Sequence, residues 1–587
     1  MVPTTSRQSR RSLTRAAAAL GALALAAAPT VLAAPAHAAA TASTTLVVNA
    51  NQPFRTVTHA ASGSLYGLSS ATTPADSLVT PLHPNTFVQM APGGSQLPNG
   101  ETAPGGDALV VAAKAANAGA KVVVRMPDWY PNFPYKWVSW SNWLSAVDTQ
   151  IGSVKASGAG NISAYELWNE PDWTWDTTNA GAFDAGWVTT YQEVRSKDTA
   201  TPIQGPSYSA WNLSWMTQFL TYAKAHNTLP DIVSWHELQG DQNIAADVAA
   251  YRNLESSLGI SARPVAIEEY GTTSEVGVPG ALVGYVAKFE RAGVNNAELA
   301  FWNLYGTLGD TLTTTGGSPN GSYWLYKWYG DMTGNMVSTV PPAQTGIDGA
   351  ASVNSAGNQV SVIFGGGTGA TAVTVNGLGS LSAFGSTAHV QLQYTPSPGR
   401  TSGVSAPITI SSSDYTVVNG SITVPVAMNA ADGYHLVITP SGSSTTLSGT
   451  YQIVNSNSGL ALDTQNAGTA QGTLVDQATS STGTDQSWTL TPAGSGLYKI
   501  VNKASGLLLG ITNASTNAGA TALIWGDNGT TDHLWQLIPT SRGSYQIAND
   551  NSGLLLGVTN MSTASVAQVL QWNDNGTADH LWNLVPR

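Results

Sequence analysis

The last quarter of the chain repeats itself three times, and this constrains the fold more than any other feature. Tyr451, Tyr498 and Tyr545 stand 47 residues apart. Each opens a strand-like run: Tyr451-Gln452-Ile453, Tyr498-Lys499-Ile500 and Tyr545-Gln546-Ile547. Ser458-Gly459-Leu460 recurs at Ser505 and Ser552, and Trp488, Trp535 and Trp582 mark the same period. One copy of short strands is too small to bury a core alone, so the copies must share one. The spacing predicts a closed β-trefoil over 448–587, with a Ser/Thr-rich linker at 441–447.

Upstream the pattern differs. Residues 45–336 alternate apolar runs with stretches of helical periodicity. Strands are expected at Ser64–Leu68, Thr86–Met90, Lys121–Met126 and Ile162–Trp168. Four more are expected at Pro202–Gly205, Asp231–His236, Pro264–Glu269 and Ala297–Trp302. Helical spacing falls between them, at Asp107–Ala118, Trp140–Ala156, Ala245–Leu258 and Ala281–Ala292. Eight strands alternating with helices predict a (β/α)8 TIM barrel. Over 337–440 the helical period vanishes and short alternating runs predict an antiparallel β-sandwich, to which Thr45–Val48 adds a strand. The chain is thus multidomain: barrel, sandwich, trefoil.

Composition narrows the partners. Charged residues are only 10% of the chain, and the net charge is −12. That argues against nucleic acid or an anionic membrane as partner. The 19 tryptophans suit sugar rings, which stack on aromatic faces. With no cysteine, disulfides, thiolate catalysis and Cys-ligated metals are excluded. No His/Asp/Glu group has metal-ligand spacing and no phosphate loop is present, so neither metal nor cofactor is expected. Residues 1–38 read as a signal peptide: Arg7, Arg10, Arg11 and Arg15, an apolar run from Ala16 to Ala28, then Ala36-His37-Ala38. The run is too short to span a bilayer. Arg10-Arg11 leaves both Sec and twin-arginine export open, and the protein is expected to be secreted to the extracellular space.

Tyr165-Glu166-Leu167-Trp168-Asn169-Glu170-Pro171 closes the fourth predicted barrel strand. Such barrels carry their active sites at the C-terminal face. Asn-Glu-Pro there resembles the clan A glycoside hydrolases. The resemblance implies that Glu170 is the general acid/base and that Asn169 binds the sugar 2-hydroxyl. Retaining hydrolysis needs a second carboxylate as nucleophile. Pro264-Val265-Ala266-Ile267-Glu268-Glu269-Tyr270-Gly271 ends the seventh strand. Alternation allows one of its two glutamates to face the site. In the clan the nucleophile usually precedes an aromatic residue, which selects Glu269 and turns Glu268 away from the pocket, as a carboxylate either supporting the site or lying between helices. Two close carboxylates keep one protonated for the leaving group while the other attacks.

Further positions resemble the clan. Trp302 matches its aromatic platform, and His236 matches a histidine that orients nucleophile or substrate. Leu238 stands where many members have Tyr, so the nucleophile's hydrogen-bond partner is expected to differ. Gly205-Pro206-Ser207-Tyr208 resembles the Gly-Pro turn of glycoside hydrolase family 39, which joins such a barrel to a β-sandwich. Trp129 and Trp173, on loops after catalytic strands, read as subsite walls. Arg125 is placed to pair either a substrate carboxylate or a catalytic glutamate.

The repeat resembles ricin-B-type lectins, also called carbohydrate-binding module family 13. Gln486-Ser487-Trp488 carries that family's Gln-x-Trp signature, replaced by His533-Leu534-Trp535 and His580-Leu581-Trp582 in the later copies. Family sites pair an Asp with a later aromatic ring. Asp463 supplies the Asp in copy one, where Ala478 replaces the ring. Trp525 and Trp572 supply rings in copies two and three, where Gly510 and Gly557 replace the Asp. Either Asp463 binds without a ring, or Trp525 with Asp532 and Trp572 with Asp579 form altered sites, or the trefoil is structural only. The expected partner is an external, plant-type polysaccharide or its oligosaccharides. The implied activity is a β-xylosidase-like retaining hydrolase, or alternatively an arabinofuranoside-releasing enzyme on arabinan or arabinogalactan. A non-catalytic carbohydrate-binding protein is the rival of another class, and the presence of both carboxylates speaks against it.

Overall fold

The computed structural model describes residues 44–97, 106–300, 308, 311–441, 447, 449–494, 496–540 and 544–587. The expected signal peptide, Trp302 and most of the linker lie outside them. No helix among the described residues is long and apolar enough to cross a membrane.

The first strand, β1 (Thr45–Thr56), precedes the barrel. Then come β2 (Gly63–Leu65), β3 (Thr86–Met90), β4 (Lys121–Arg125) and β5 (Ile162–Glu166). They are followed by β6 (Ile203–Tyr208), β7 (Ile232–Glu237), β8 (Val265–Tyr270) and β9 (Asn296–Leu299). Strands β2 to β9 pair in parallel and close a barrel. Each overlaps one of the eight predicted runs. Local chemistry sets the helix ends. Asp107 accepts from the Leu109 and Val110 amides at the start of Ala108–Asn117, and Ser139 caps Trp140–Ser157 by accepting from Asn142. Gly158 and Gly293 end helices in the left-handed region, where a side chain would strain the backbone.

The lumen is unusual. Such barrels commonly fill it with branched apolar side chains. Here Glu166, Gln204, Glu268 and Glu298 are all fully buried, with Arg125 among them. The larger apolar core lies outside the strands, shared with the helices, and a smaller apolar cluster of Leu65, Val88, Met90, Val123 and Ala164 lies on their other face.

The remaining strands are β10 (Asn335–Val340), β11 (Asp348–Val353), β12 (Val360–Gly365) and β13 (Gly369–Asn376). The set closes with β14 (Thr387–Thr395), β15 (Ile408–Thr416), β16 (Ile422–Met428) and β17 (Gly433–Pro440). The hydrogen-bonded order is β15-β14-β17-β12-β11-β10-β1-β13-β16. The first strand therefore belongs wholly to the sandwich, and the barrel starts at Gly63 rather than at residue 45. It pairs antiparallel with β10 and parallel with β13, so the sandwich is not purely antiparallel. β16 alternates buried and exposed residues, as a strand with one wet face should. β12 is buried on both faces, because the barrel helix Pro279–Ala292 covers its outer side. Glycines permit that approach: a Cβ on Gly365 would lie 2.8 Å from the Gly280 Cα.

The C-terminal region is a trefoil of twelve strands, four per copy. Six of them close a small barrel. Gly449–Asn455 pairs with both Trp488–Gly494 and Leu581–Pro586, which ties the first copy to the last. The repeated tryptophans explain the period. Trp488, Trp535 and Trp582 are fully buried, and each indole N–H donates to the carbonyl of Leu462, Leu509 or Leu556 at 2.9 Å. Asn455, Asn502 and Asn549 each donate across to a neighbouring copy, to the carbonyls of Asp579, Asp485 and Asp532.

Candidate active site

β5 ends at Glu166, four residues before Glu170. Glu166 points into the lumen, and the chain then turns so that Glu170 stands at the rim. Glu170 adopts the left-handed region (φ 51°) at the start of the short helix Pro171–Thr174. A side chain there is strained, and the surroundings hold it. The Glu170 amide donates to the Ser207 carbonyl at 2.9 Å, so the Gly-Pro turn on β6 acts as its backstop. The Thr174 hydroxyl donates to the carbonyls of Asn169 and Glu170. It also accepts from the Trp168 indole at 2.9 Å.

Three side chains converge at this rim. Single side-chain atoms of Glu170, His236 and Glu269 all lie within 4.8 Å of one another. His236 Nδ1 is 3.2 Å from Glu170 Oε1, and its Nε2 is 3.9 Å from Glu269 Oε1. Burial alone would lower the basicity of this imidazole. The charges of Glu269 and Glu170 on its two sides overcome that and hold it above its ordinary value. Trp173 Nε1 donates to Glu170 Oε2 at 2.9 Å while its ring stays 53% exposed, edge-on to Phe133. Arg125 resolves its two options toward the glutamates. It donates from Nη1 to Glu269 at 2.7 Å and from Nε to Glu166 at 2.8 Å.

The glutamate pair on β8 departs from the expectation of simple alternation. Ile267 and Tyr270 both face outward into the helical layer, and the register shifts between them against both neighbours. This is a β-bulge, and it turns two successive residues inward. Glu268 does not sit behind the strand. It occupies the lumen beneath the site, takes a 2.5 Å hydrogen bond from Gln204 Nε2 and lies 3.9 Å from His236 Nε2. Glu269 stands above it at the rim, its side chain 12% exposed.

Two of the remaining expected residues are also at hand. Asn169 is buried, with its amide oxygen free of hydrogen bonds. Trp129 is half-buried against the core beside Gly93. Sequence reasoning missed a supporting cluster. Asp128, buried after β4, accepts from Tyr66 at 2.6 Å and Tyr135 at 2.9 Å, and burial pushes its carboxyl up to about 6. The Tyr66 ring lies 5.8 Å from the Arg125 guanidinium carbon. Glu237, at the end of β7, is buried, accepts from the Trp235 indole at 2.7 Å, and is raised by burial to about 8.

With this geometry in hand, relatives can be compared. A structure of N2152 from Neocallimastix frontalis is 36% identical, with TM-score 0.65, and the match covers 68% of this chain and 100% of that one. The chain belongs to the same family as N2152. It is also 29% identical over 453 residues to a 3-O-alpha-D-galactosyl-alpha-L-arabinofuranosidase of Bifidobacterium longum subsp. longum, covering 65% of this chain and 39% of the relative. A 3-O-beta-L-arabinopyranosyl-alpha-L-arabinofuranosidase of Bifidobacterium pseudocatenulatum is 27% identical over 458 residues, covering 65% of this chain and 46% of the relative. This chain thus spans less than half the length of either arabinofuranosidase. Residues 435–525 and 531–587 match the family described as Ricin-type beta-trefoil lectin domain-like. The chain is thus similar to glycoside hydrolases and ends in a ricin-type trefoil.

The ricin-type trefoil keeps its departures from the family pattern in three dimensions. Trp525 and Trp572 are 38% and 42% exposed, high for large rings. A Cβ on Gly472 or Gly519, each in the preceding copy, would lie 3.4 and 3.2 Å from these rings. Asp532 and Asp579 are buried, each held by a threonine, Thr530 or Thr577, and close to His533 or His580. The glycines opposite have a steric cause. A Cβ on Gly510 would fall 2.2 Å from His533 Cδ2, and one on Gly557 2.1 Å from His580 Cδ2. Gly510→Ala should therefore destabilise the trefoil by about 1–3 kcal/mol, the usual cost of overpacking. Thermal unfolding followed by tryptophan fluorescence would read it, and an unchanged midpoint would contradict this packing.

Proposed function

We propose that the protein is an exported retaining glycoside hydrolase that releases arabinofuranosides from the side chains of an external polysaccharide. The observation that carries the mechanism is the approach of Glu170 and Glu269, whose oxygens come within 4.8 Å. Retaining enzymes hold their carboxyls about 5–5.5 Å apart, and inverting ones about 6.5–9.5 Å, to admit a water. Glu269, aimed by its hydrogen bond from Arg125, attacks the anomeric carbon. Glu170 gives its proton to the departing oxygen. Once Glu269 is a neutral ester, Glu170 is free to accept a proton from water, which then displaces the ester and restores both groups. His236, between the two carboxyls, keeps them apart and oriented. Trp173 holds Glu170 and offers an apolar face to the sugar. Asn169, with its open amide oxygen, is the group assigned to the sugar 2-hydroxyl.

One consideration favours an arabinofuranoside over a β-xyloside. Both sequence relatives named above are α-L-arabinofuranosidases. The enzyme should cleave aryl α-L-arabinofuranosides, or disaccharide-capped forms of them, with the first-formed anomer retained by NMR. Exclusive cleavage of aryl β-xylosides would overturn the substrate, and inversion would overturn the mechanism.

The trefoil is read as an anchor through Trp525 and Trp572. The double variant Trp525→Ala/Trp572→Ala should leave rates on small soluble glycosides within about twofold. Binding to insoluble polysaccharide should weaken about tenfold or more, since losing two linked contacts also loses their avidity. Equal pull-down of variant and wild type would make the trefoil structural only.

A further inference from the structure

We propose that Glu268 is a positioning residue for the acid/base: through His236 it keeps in place the proton that Glu170 delivers. The inference rests on reading the site as that of a retaining hydrolase. Glu268 is fully buried beneath the rim, so it acts only through another side chain.

Two orphaned atoms make the contact. His236 Nε2 and Glu268 Oε2 are both buried without a hydrogen-bond partner, and they lie 3.9 Å apart. The other Glu268 oxygen is already taken by Gln204 Nε2. Glu269 Oε1 is equally far from Nε2, but Arg125 Nη1 donates to it at 2.7 Å. Glu269 is also consumed as an ester in the first step, whereas Glu268 stays available throughout. A buried donor and acceptor left unpaired are costly. Contacts of this kind are often long before substrate binds and shorten in the working complex. The β-bulge gains a purpose here. Strict alternation would turn Glu268 outward and leave the imidazole with Glu269 alone.

On its other side His236 Nδ1 is 3.2 Å from Glu170 Oε1. A proton loaded on this pair sits on Oε1, or on Nδ1 of a cationic ring. In both cases Nε2 carries a hydrogen, and Glu268 Oε2 is placed to accept it. When the proton leaves, Nδ1 keeps the ring's one hydrogen for the Glu170 carboxylate, and a bare Nε2 faces the Glu268 oxygen. Glu268 thus favours the loaded pair. The other charged groups around the ring are Glu269 beside Glu268, Arg125 on β4 with Glu166 bound to it, Glu298 on β9 and Glu237 next along β7. Burial lowers the basicity of the imidazole, and Glu269 and Glu170 raise it by more, against Arg125.

The test uses the full chain and an aryl α-L-arabinofuranoside with a poor leaving group. Glu268→Leu removes the acceptor, and the alkaline limb of kcat/KM should move down by about one pH unit or more, as for losing one hydrogen bond to a charged group. The rate should fall about tenfold or more above that limb and less than about threefold below it. Damage to the fold would instead lower it at every pH. Glu268→Gln keeps an oxygen for Nε2, because Gln204 Oε1 has no partner and can receive the new amide's N–H. This variant should recover most of the shift. Nitrogen-15 NMR of the histidine-labelled wild type, with His236→Asn to identify the signal, reads the same contact without substrate and without a Glu268 variant that must fold. Near neutral pH, Nε2 should carry a hydrogen. A bare Nε2 in the wild type, a rate loss equal at every pH, or a Glu268→Gln variant no better than Glu268→Leu would each overturn the proposal. A chain with a hydrogen on Nε2 that cleaves no glycoside would overturn the hydrolase reading and leave the contact of Glu268 with His236 standing.

Discussion

Glu170→Gln is expected to lower turnover of unactivated glycosides by about 10²–10⁴-fold, the usual contribution of general acid–base catalysis. The change preserves the shape of the site. Gln can still accept from Trp173 Nε1 and still lie against His236, so the strained turn at Glu170 keeps its supports. What disappears is the proton for the leaving oxygen. An aryl glycoside with an acidic phenol needs little protonation, so formation of the glycosyl ester should slow far less. The return step still lacks its base, and the ester should accumulate. A pre-steady-state burst on an activated aryl glycoside, with little turnover after it, is the expected signature. Equal losses on good and poor leaving groups would remove Glu170 from the acid role.

Much of this arrangement is legible in the sequence, for local reasons. All eight barrel strands carry apolar runs of strand length, and the trefoil announces itself by its period. Glu170 and Arg125 stand beside short, strongly patterned strand ends. The rest depends on pairing between distant strands. The bulge at Glu268–Glu269 arises from register against β7 and β9, which no window around residue 268 contains. Alternation therefore put Glu268 on the wrong side. The doubly buried β12 likewise looks like a half-wet strand until the helix Pro279–Ala292 is laid over it.

The trefoil gives the opposite lesson. The exchange of Asp463 for glycine and of Gln486 for histidine is visible in the sequence, yet its meaning is steric. The His533 imidazole occupies the space that a side chain at Gly510 would need. Reading the two positions together, one period at a time, predicts the exchange as a unit. Read singly, each looks like the loss of a site.

Arg125→Met should be the most damaging single change to the barrel, costing about 3–5 kcal/mol, as for removal of one partner from a buried ion pair. The guanidinium is 1% exposed and bridges two carboxylates, so its loss strands both Glu166 and Glu269. Glu166 suffers more. Burial already pushes its carboxyl well above the ordinary range, and Glu268 in the same lumen pushes it further, with Arg125 as the opposing charge. Replacing both partners by apolar groups is usually far less harmful than orphaning one. The double variant Arg125→Met/Glu166→Leu should therefore recover much of the lost stability in denaturant or thermal unfolding. It should not recover activity, because Glu269 would still lack the cation that aims it. A single variant as stable as wild type would mean that the lumen does not depend on this bridge. A double variant with full activity would mean that Arg125 serves the fold and not the nucleophile.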